Sequence, residues 1–188
     1  ILNHGDWWAG KGIALHRLAH AEGEFMIANT HLVARYVPLT EPDVYFAMRV
    51  AEVIEISSLL ADIKLPVVML GDFNIQEGFD EYHIFKGLSG VRDVAARLDS
   101  RQATRLAENP MRKSNHRKRQ DARLDYVFTR PGETVDVVAQ GVHLVFDEWV
   151  NLEGQKITAS DHNGLLANLT MTHQTGLNHR PEQDAVDL

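Results

Sequence analysis

The apolar and polar positions change their period along the chain, and each change marks an element. Residues 13–18 alternate, with Ile13, Leu15 and Arg17 on one side and Ala14, His16 and Leu18 on the other. The turn signal His20-Ala21-Glu22-Gly23 follows, and a second apolar run occupies residues 25–32. Two short runs split by a Gly-bearing turn predict a β-hairpin. Thr40-Glu41-Pro42-Asp43 predicts a helix start, with Thr as the N-cap, Pro in the first turn and an acid three residues on. Over residues 44–62, Ala47, Val50, Ala51 and Ile54 recur at helical spacing, while Arg49, Glu52 and Glu55 lie elsewhere on the wheel. Pro66 ends that region, and the wholly apolar run 67–70 suits a central strand buried on both faces. Residues 80–88 predict a short helix closed by the Gly87 to Gly90 region, and the polar, aperiodic stretch 97–123 predicts a long loop. Residues 124–129 and 135–144 predict strands separated by Arg130-Pro131-Gly132, and 164–171 a last strand. From Thr172 onward the polar sequence predicts a flexible tail over 172–188, behind one domain over 1–171. Mixed strands and helices, with one strand–helix–strand stretch, give an α/β class.

Composition narrows the chemistry. A chain of 188 residues is about one domain. It has no Cys, which removes thiol nucleophiles, Cys-based zinc sites and iron–sulfur clusters while leaving the compartment open. No apolar run approaches the ~18 residues of a membrane span, so no transmembrane segment is predicted, although Trp7-Trp8 is a candidate for contact with a membrane surface. Lys and Arg total 19 against 26 acids, a formal charge of −7, which disfavours nucleic acid as the main partner. The chain opens on Ile1 and enters directly into structured-looking sequence, as a piece of something longer would.

The charge is uneven. Residues 112–123 hold Arg112, Lys113, Arg117, Lys118, Arg119 and Arg123 against the single acid Asp121, a local +5 within a total of −7 that leaves −12 on the remainder. A solvated loop explains this, and so does a basic rim that draws an anionic substrate toward a site beside Asp125. On the second reading, neutralising Arg117, Lys118 and Arg119 raises KM and weakens its salt dependence.

Four short motifs place polar residues where strands meet loops, the usual place for ligand sites in α/β sheets. They are Asn29-Thr30-His31-Leu32, Gly71-Asp72-Phe73-Asn74, Arg123-Leu124-Asp125-Tyr126 and Ser160-Asp161-His162-Asn163. Each alone has a structural explanation in a turn or a hydrogen-bonded histidine. Asp125 is the exception, because a carboxylate inside an apolar strand needs a partner.

In this order the four motifs resemble the endonuclease/exonuclease/phosphatase superfamily of metal-dependent phosphoesterases. Gly10-Lys11-Gly12, the run from Thr30-His31-Leu32 to Ala34-Arg35-Tyr36, and the helix carrying Arg49 resemble its neutral sphingomyelinase branch. The resemblance implies a DNase I-like two-sheet sandwich flanked by helices in four layers, with its N-terminal part missing. It implies hydrolysis of a phosphodiester, a phospholipid headgroup ester in that branch, by in-line attack of water with Mg²⁺ or alternatively Mn²⁺. His162 would be the general base, Asp125 would hold its imidazole, and Asp72 would orient the water or share the metal. Asp161 and His162 complete the implied metal set with Asp72. Asn74 would donate to a phosphoryl oxygen, His31 would stabilise charge or protonate the leaving oxygen, and Lys11 is a further phosphate contact. A nuclease, a sugar or inositol phosphatase of the same superfamily, and a non-catalytic module retaining the fold are the alternatives.

The family's Asn and metal-binding Glu belong to first strands ahead of Ile1, and Glu22 and Glu24 sit in the hairpin turn, too late to replace them. The chain therefore matches roughly the C-terminal two thirds of the domain, and the expectation is weak Mg²⁺ binding and weak activity. Activity equal to that of an N-terminally extended form would refute this.

Overall fold

A computed structural model describes residues 10–37, 42–111 and 120–174. The predicted hairpin is β1 (Ile13–His20) and β2 (Gly23–His31). Helix α1 (Phe46–Ala61) leads to β3 (Val67–Asp72) and α2 (Asp80–Ser89), then β4 (Arg92–Asp93), α3 (Val94–Arg97) and β5 (Asp125–Arg130). The long strands β6 (Val135–Val145) and β9 (Gly164–His173) enclose a small hairpin of β7 (Val150–Leu152) and β8 (Gln155–Ile157).

The first sheet has the order β1-β2-β3-β5-β4, with β2 and β3 parallel and the other neighbours antiparallel. Residues 67–70 of its central strand β3 are all apolar because both faces are covered. Val67 and Met69 pack with Val53, Ile56 and Leu60 of α1 and with Tyr82 and Phe85 of α2. Val68 and Leu70 pack on the opposite side with Val137, Val142, Leu165 and Leu169 of the β6–β9 sheet. The strand period of two therefore assigns alternate residues to helices and to the second sheet. The two-sheet α/β sandwich read from the sequence is the architecture observed.

Several boundaries differ from the sequence reading. The helix starts at Phe46, with no side-chain cap from Tyr45, because Asp43 holds a turn: its carboxylate accepts from the Tyr45 amide at 3.0 Å and pairs with Arg35 and Arg49. Thr40, the expected cap, lies outside the described residues, as do Trp7 and Trp8. The described part of 97–123 after Arg97 is loop, tied by a single bridge between Arg105 and Ala122; just before it stand β4 and α3, which the sequence reading missed, with N-cap Asp93 accepting from the Ala96 amide. The β7–β8 hairpin was illegible because three-residue strands carry no measurable alternation. The last strand runs two residues past its expected end, to His173.

Candidate active site

Three strands bring the first three motifs to one end of the first sheet. In the register of the parallel pair β2–β3, His31 lies opposite Asp72; in the antiparallel pair β3–β5, Asp72 lies opposite Asp125. Cross-strand neighbours point to the same face. That face is the one toward the second sheet, since Asp72 follows Val68 and Leu70 at the strand period. The loop into β9 then delivers His162 onto it. Lys11 also belongs to this end, because Ile13 pairs with Thr30 and the Thr30 hydroxyl donates to the Gly12 carbonyl at 2.9 Å.

Close strand approach explains the glycine of the second motif. Gly71 has φ +140, and a Cβ on it would lie 1.9 Å from the Thr30 carbonyl oxygen. Only Gly allows β2 and β3 to meet here. The next turn is closed by Asp72, whose Oδ1 accepts from the Asn74 amide at 2.8 Å, with Asn74 in the left-handed region at φ 52. The Asn74 side chain donates to the Leu32 carbonyl at 2.9 Å. One of its two N–H groups is thus committed to joining the β2 and β3 ends, which leaves the other for a ligand.

Asp125 has the partner its strand position required. His162 Nδ1 lies 2.8 Å from Asp125 Oδ2, and both side chains are mostly buried. An ionised carboxylate only accepts, so the proton resides on Nδ1 and the lone pair of the neutral ring is on Nε2. Asp72 Oδ2 is 4.0 Å from the same Nδ1 and 3.5 Å from His31 Nε2 on the other wall. His31 is 59% exposed, whereas Asp72 is 20% exposed.

These placements shift two titrations. Burial first, then the charge of Asp125, raises the Asp72 carboxyl above its ordinary value, against the opposing pull of the Asn74 amide and both histidines. Burial disfavours the charged His162 ring, yet the hydrogen bond and charge of Asp125, with Asp72 and Asp161 behind it, raise its pKa above the ordinary 6.5. The site therefore concentrates negative charge on one imidazole.

Asp72, Asp125 and His162 each offer a ligand atom, and these atoms lie within 4.8 Å of one another. The oxygen donors and the strained charge of Asp72 fit a hard divalent cation. Asp161 was expected in this group, but it is exposed and stands outside it; Asp125 takes the place. Asp161 follows the Ser160 turn at the rim, where it acts on His162 through its charge.

The support of this cluster comes from residues that sequence reasoning left in the long loop. The Thr104 hydroxyl oxygen accepts from the amides of Leu124 and Asp125, both at 3.1 Å. The Thr104 carbonyl accepts from the Asn163 amide at 2.7 Å, which ties the His162 loop to β5. Asn109 and Thr158 both bond the Ser160 carbonyl, at 3.0 and 2.6 Å. Burial lowers the pKa of Arg105, next to Thr104, and the charges of Asp72, Asp161 and Asp125 oppose that lowering. No periodicity signals these residues; the one available signal was their position in the same polar stretch that precedes Asp125. Among the expected rim cations, Arg123 is buried instead, paired with Asp93 and Glu77 at 2.8 and 2.6 Å. Arg112, Lys113, Arg117, Lys118 and Arg119 lie outside the described residues.

A sequence model of the Endonuclease/Exonuclease/phosphatase family matches residues 9–162, which include the first three motifs and the fourth through His162. The chain belongs to that family. Within the Endonuclease/Exonuclease/phosphatase family it is similar to sphingomyelin phosphodiesterase 2 of Rattus norvegicus, 28% identical over 185 residues that cover 90% of this chain and 42% of that protein. The chain thus spans about two fifths of the length of that relative. Among solved structures, Danio rerio (D. rerio) TDP2 complexed with a single-strand DNA product superposes with a TM-score of 0.67 at 18% identity, covering 85% of this chain and 62% of that one. Sphingomyelinase C from Streptomyces griseocarneus gives 0.58 at 19% identity, covering 87% and 59%. These two likenesses are of fold, and the fold is the DNase I-like one of the family.

Proposed function

We propose that the chain carries the catalytic face of a divalent-cation-dependent phosphodiesterase acting on a sphingophospholipid headgroup ester. The observation that carries the reading is the His162–Asp125 pair at 2.8 Å, set beside Asp72 at the end of the sheet. The similarity to sphingomyelin phosphodiesterase 2 across 90% of the chain favours a lipid phosphodiester over nucleic acid, as does the net charge of −7. No helix among the described residues is long and apolar enough to cross a membrane.

On this reading His162 Nε2 removes a proton from the attacking water while its Nδ1–H stays on Asp125, which stabilises the imidazolium as it forms. The water oxygen bonds to phosphorus in line with the departing alkoxide. His31, on the opposite wall and open to solvent, gives a proton to that oxygen. Asn74 offers its remaining N–H to a non-bridging oxygen, and Lys11 adds positive charge at the same sheet end. Asp72 would be the first carboxylate for Mg²⁺ or Mn²⁺, with Asp161 at the rim as a second, and His162 beside it. Such an ion supplies charge stabilisation for the phosphoryl oxygens and a more acidic water.

The test is hydrolysis of sphingomyelin vesicles, plasmid DNA and inositol phosphates by this chain, each with and without Mg²⁺. Cation-dependent release of a phosphorylated headgroup from sphingomyelin, abolished in a folded His162→Ala variant, is the expected result. Cleavage of DNA in preference to the lipid would overturn the substrate assignment, and hydrolysis persisting in His162→Ala would overturn the mechanism.

A further inference from the structure

Most arginines among the described residues have ion-pair or carbonyl partners, even where one nitrogen, as in Arg49 and Arg130, is left over. Arg123 holds Asp93 and Glu77, Arg49 holds Asp43 and Glu81, Arg92 holds Asp136 at 2.6 Å, and Arg130 donates to the carbonyls of Leu60 and Ile63. Arg105 differs. Among the described residues its side chain makes no hydrogen bond or ion pair, and its Nε is buried without a partner. Its backbone is nevertheless fixed: Arg105 and Ala122 exchange both amide–carbonyl bonds at 2.9 Å, and the preceding Thr104 is locked to Asp125 and Asn163. The Arg105 backbone is thus held directly beside Thr104, the residue that binds the amides of Asp125 and Asn163, and the charges of Asp72, Asp161 and Asp125 act on its guanidinium. A second buried donor, Asn163 Nδ2, also lacks a partner at the junction where the Asn163 amide meets Thr104.

Two buried donors without acceptors on either side of Thr104 are poorly explained by folding alone. A buried donor left without an acceptor costs stability, and a guanidinium placed to neutralise the carboxylates would have closed an ion pair with one of them. What both lack is an anionic oxygen that arrives with the ligand. The substrate meets the opposite problem, since a phosphodiester carries negative charge into a site already rich in it. A guanidinium stays charged at any working pH and matches two phosphoryl oxygens at once.

We propose that Arg105 binds the non-bridging oxygens of the scissile phosphate, with Asn163 Nδ2 as its neighbour, and so fixes the substrate against the His162 side of the site. The proposal deepens the phosphodiesterase reading and rests on it for the identity of the ligand, though not for the binding event.

The experiment measures binding of inorganic phosphate and of phosphocholine by calorimetry, in the presence of Mg²⁺, for the wild-type chain, Arg105→Ala, Arg105→Gln and Arg105→Lys. Hydrolysis of sphingomyelin is followed on the same preparations. Loss of a charge-assisted hydrogen bond corresponds to about a tenfold to hundredfold weakening of affinity for Arg105→Ala and Arg105→Gln. Partial rescue is expected in Arg105→Lys, with KM moving more than the pH profile. Thermal melting identifies any variant that fails to fold, and Arg105→Gln, which keeps most of the buried stem, then carries the comparison. Unchanged phosphate affinity in the folded Arg105→Gln protein overturns the proposal. So does a result in which the acid limb of the rate profile moves while phosphate affinity does not, since that is the signature of a counter-ion for the carboxylates. If the wild type binds phosphate through Arg105 but hydrolyses no lipid, the binding assignment stands and the sphingomyelinase reading fails. If it hydrolyses sphingomyelin and Arg105→Gln does so equally well, the reverse holds.

Discussion

Replacing Asp125 by Asn tests the site where its geometry is best defined. The substitution keeps the shape and leaves an oxygen that still accepts from His162 Nδ1, but it removes the charge 2.8 Å from that nitrogen. With charge centres about 4 Å apart and an effective dielectric constant of ~20, the interaction between imidazolium and carboxylate is about 4 kcal/mol. Both side chains are about four fifths buried, so little of this is lost to solvent. Asp72, at 4.0 Å from the same nitrogen, retains a part of the stabilisation. The expected loss in kcat is therefore roughly 10²- to 10³-fold, near 3–4 kcal/mol at ~1.4 kcal/mol per decade. KM should change little, because the charge matters only once the base is protonated. A second readout needs no turnover. Asp125 is the main influence raising the His162 pKa against burial, so the ring resonances of His162 in an NMR titration should move to a lower pH in Asp125→Asn, and the acid limb of the rate profile should follow. A variant within threefold of wild-type kcat, or a His162 titration unmoved by the substitution, would refute the assignment of His162 as the base.

Three further outcomes follow from the same structure. Asp72→Asn should raise the melting temperature at neutral pH without divalent cations. The folded-state pKa of Asp72 lies above its ordinary value, so its charge costs stability once pH exceeds the unfolded-state value, while at lower pH, with the group protonated in both states, the gain vanishes. Added Mg²⁺ should then stabilise the wild type and not the variant, as thermal shift measurements would show. Gly71→Ala forces a Cβ to 1.9 Å from the Thr30 carbonyl oxygen at a φ of +140, and a loss of at least ~3 kcal/mol is expected in urea denaturation. Arg49→Met should cost about 3–5 kcal/mol by leaving Glu81, 2% exposed, as an uncompensated buried charge, and Glu81→Leu in the same chain should recover most of it.

The residues of the candidate site could be proposed from the sequence because their chemistry is local. His31, Asp72, Asn74, Asp125 and His162 each stand at a strand end, where a polar side chain after an apolar run is visible in one dimension. The need of Asp125 for a partner was visible too, because an isolated carboxylate in a strand is costly wherever the strand lies. Helices and long strands were legible through their periods, while the start of α1 was misread because Asp43 spends its side chain on Arg35 and Arg49 as well as on the turn.

What the sequence by itself determined, then, is the set of chemical groups and the sheet they grow from: a both-faces-apolar β3, a glycine before Asp72, and four polar motifs in a fixed order. Only the tertiary structure decided who stands next to whom. It placed Asp125 with His162 across 37 positions of chain and left Asp161 at the rim. It also drew Thr104 out of an aperiodic stretch onto the Asp125 amide, with Arg105 bridged to Ala122 beside it. The physical reason is that strand register and loop closure are set by packing summed over the whole sandwich, whereas a residue's own chemistry and its local period are properties of the chain alone.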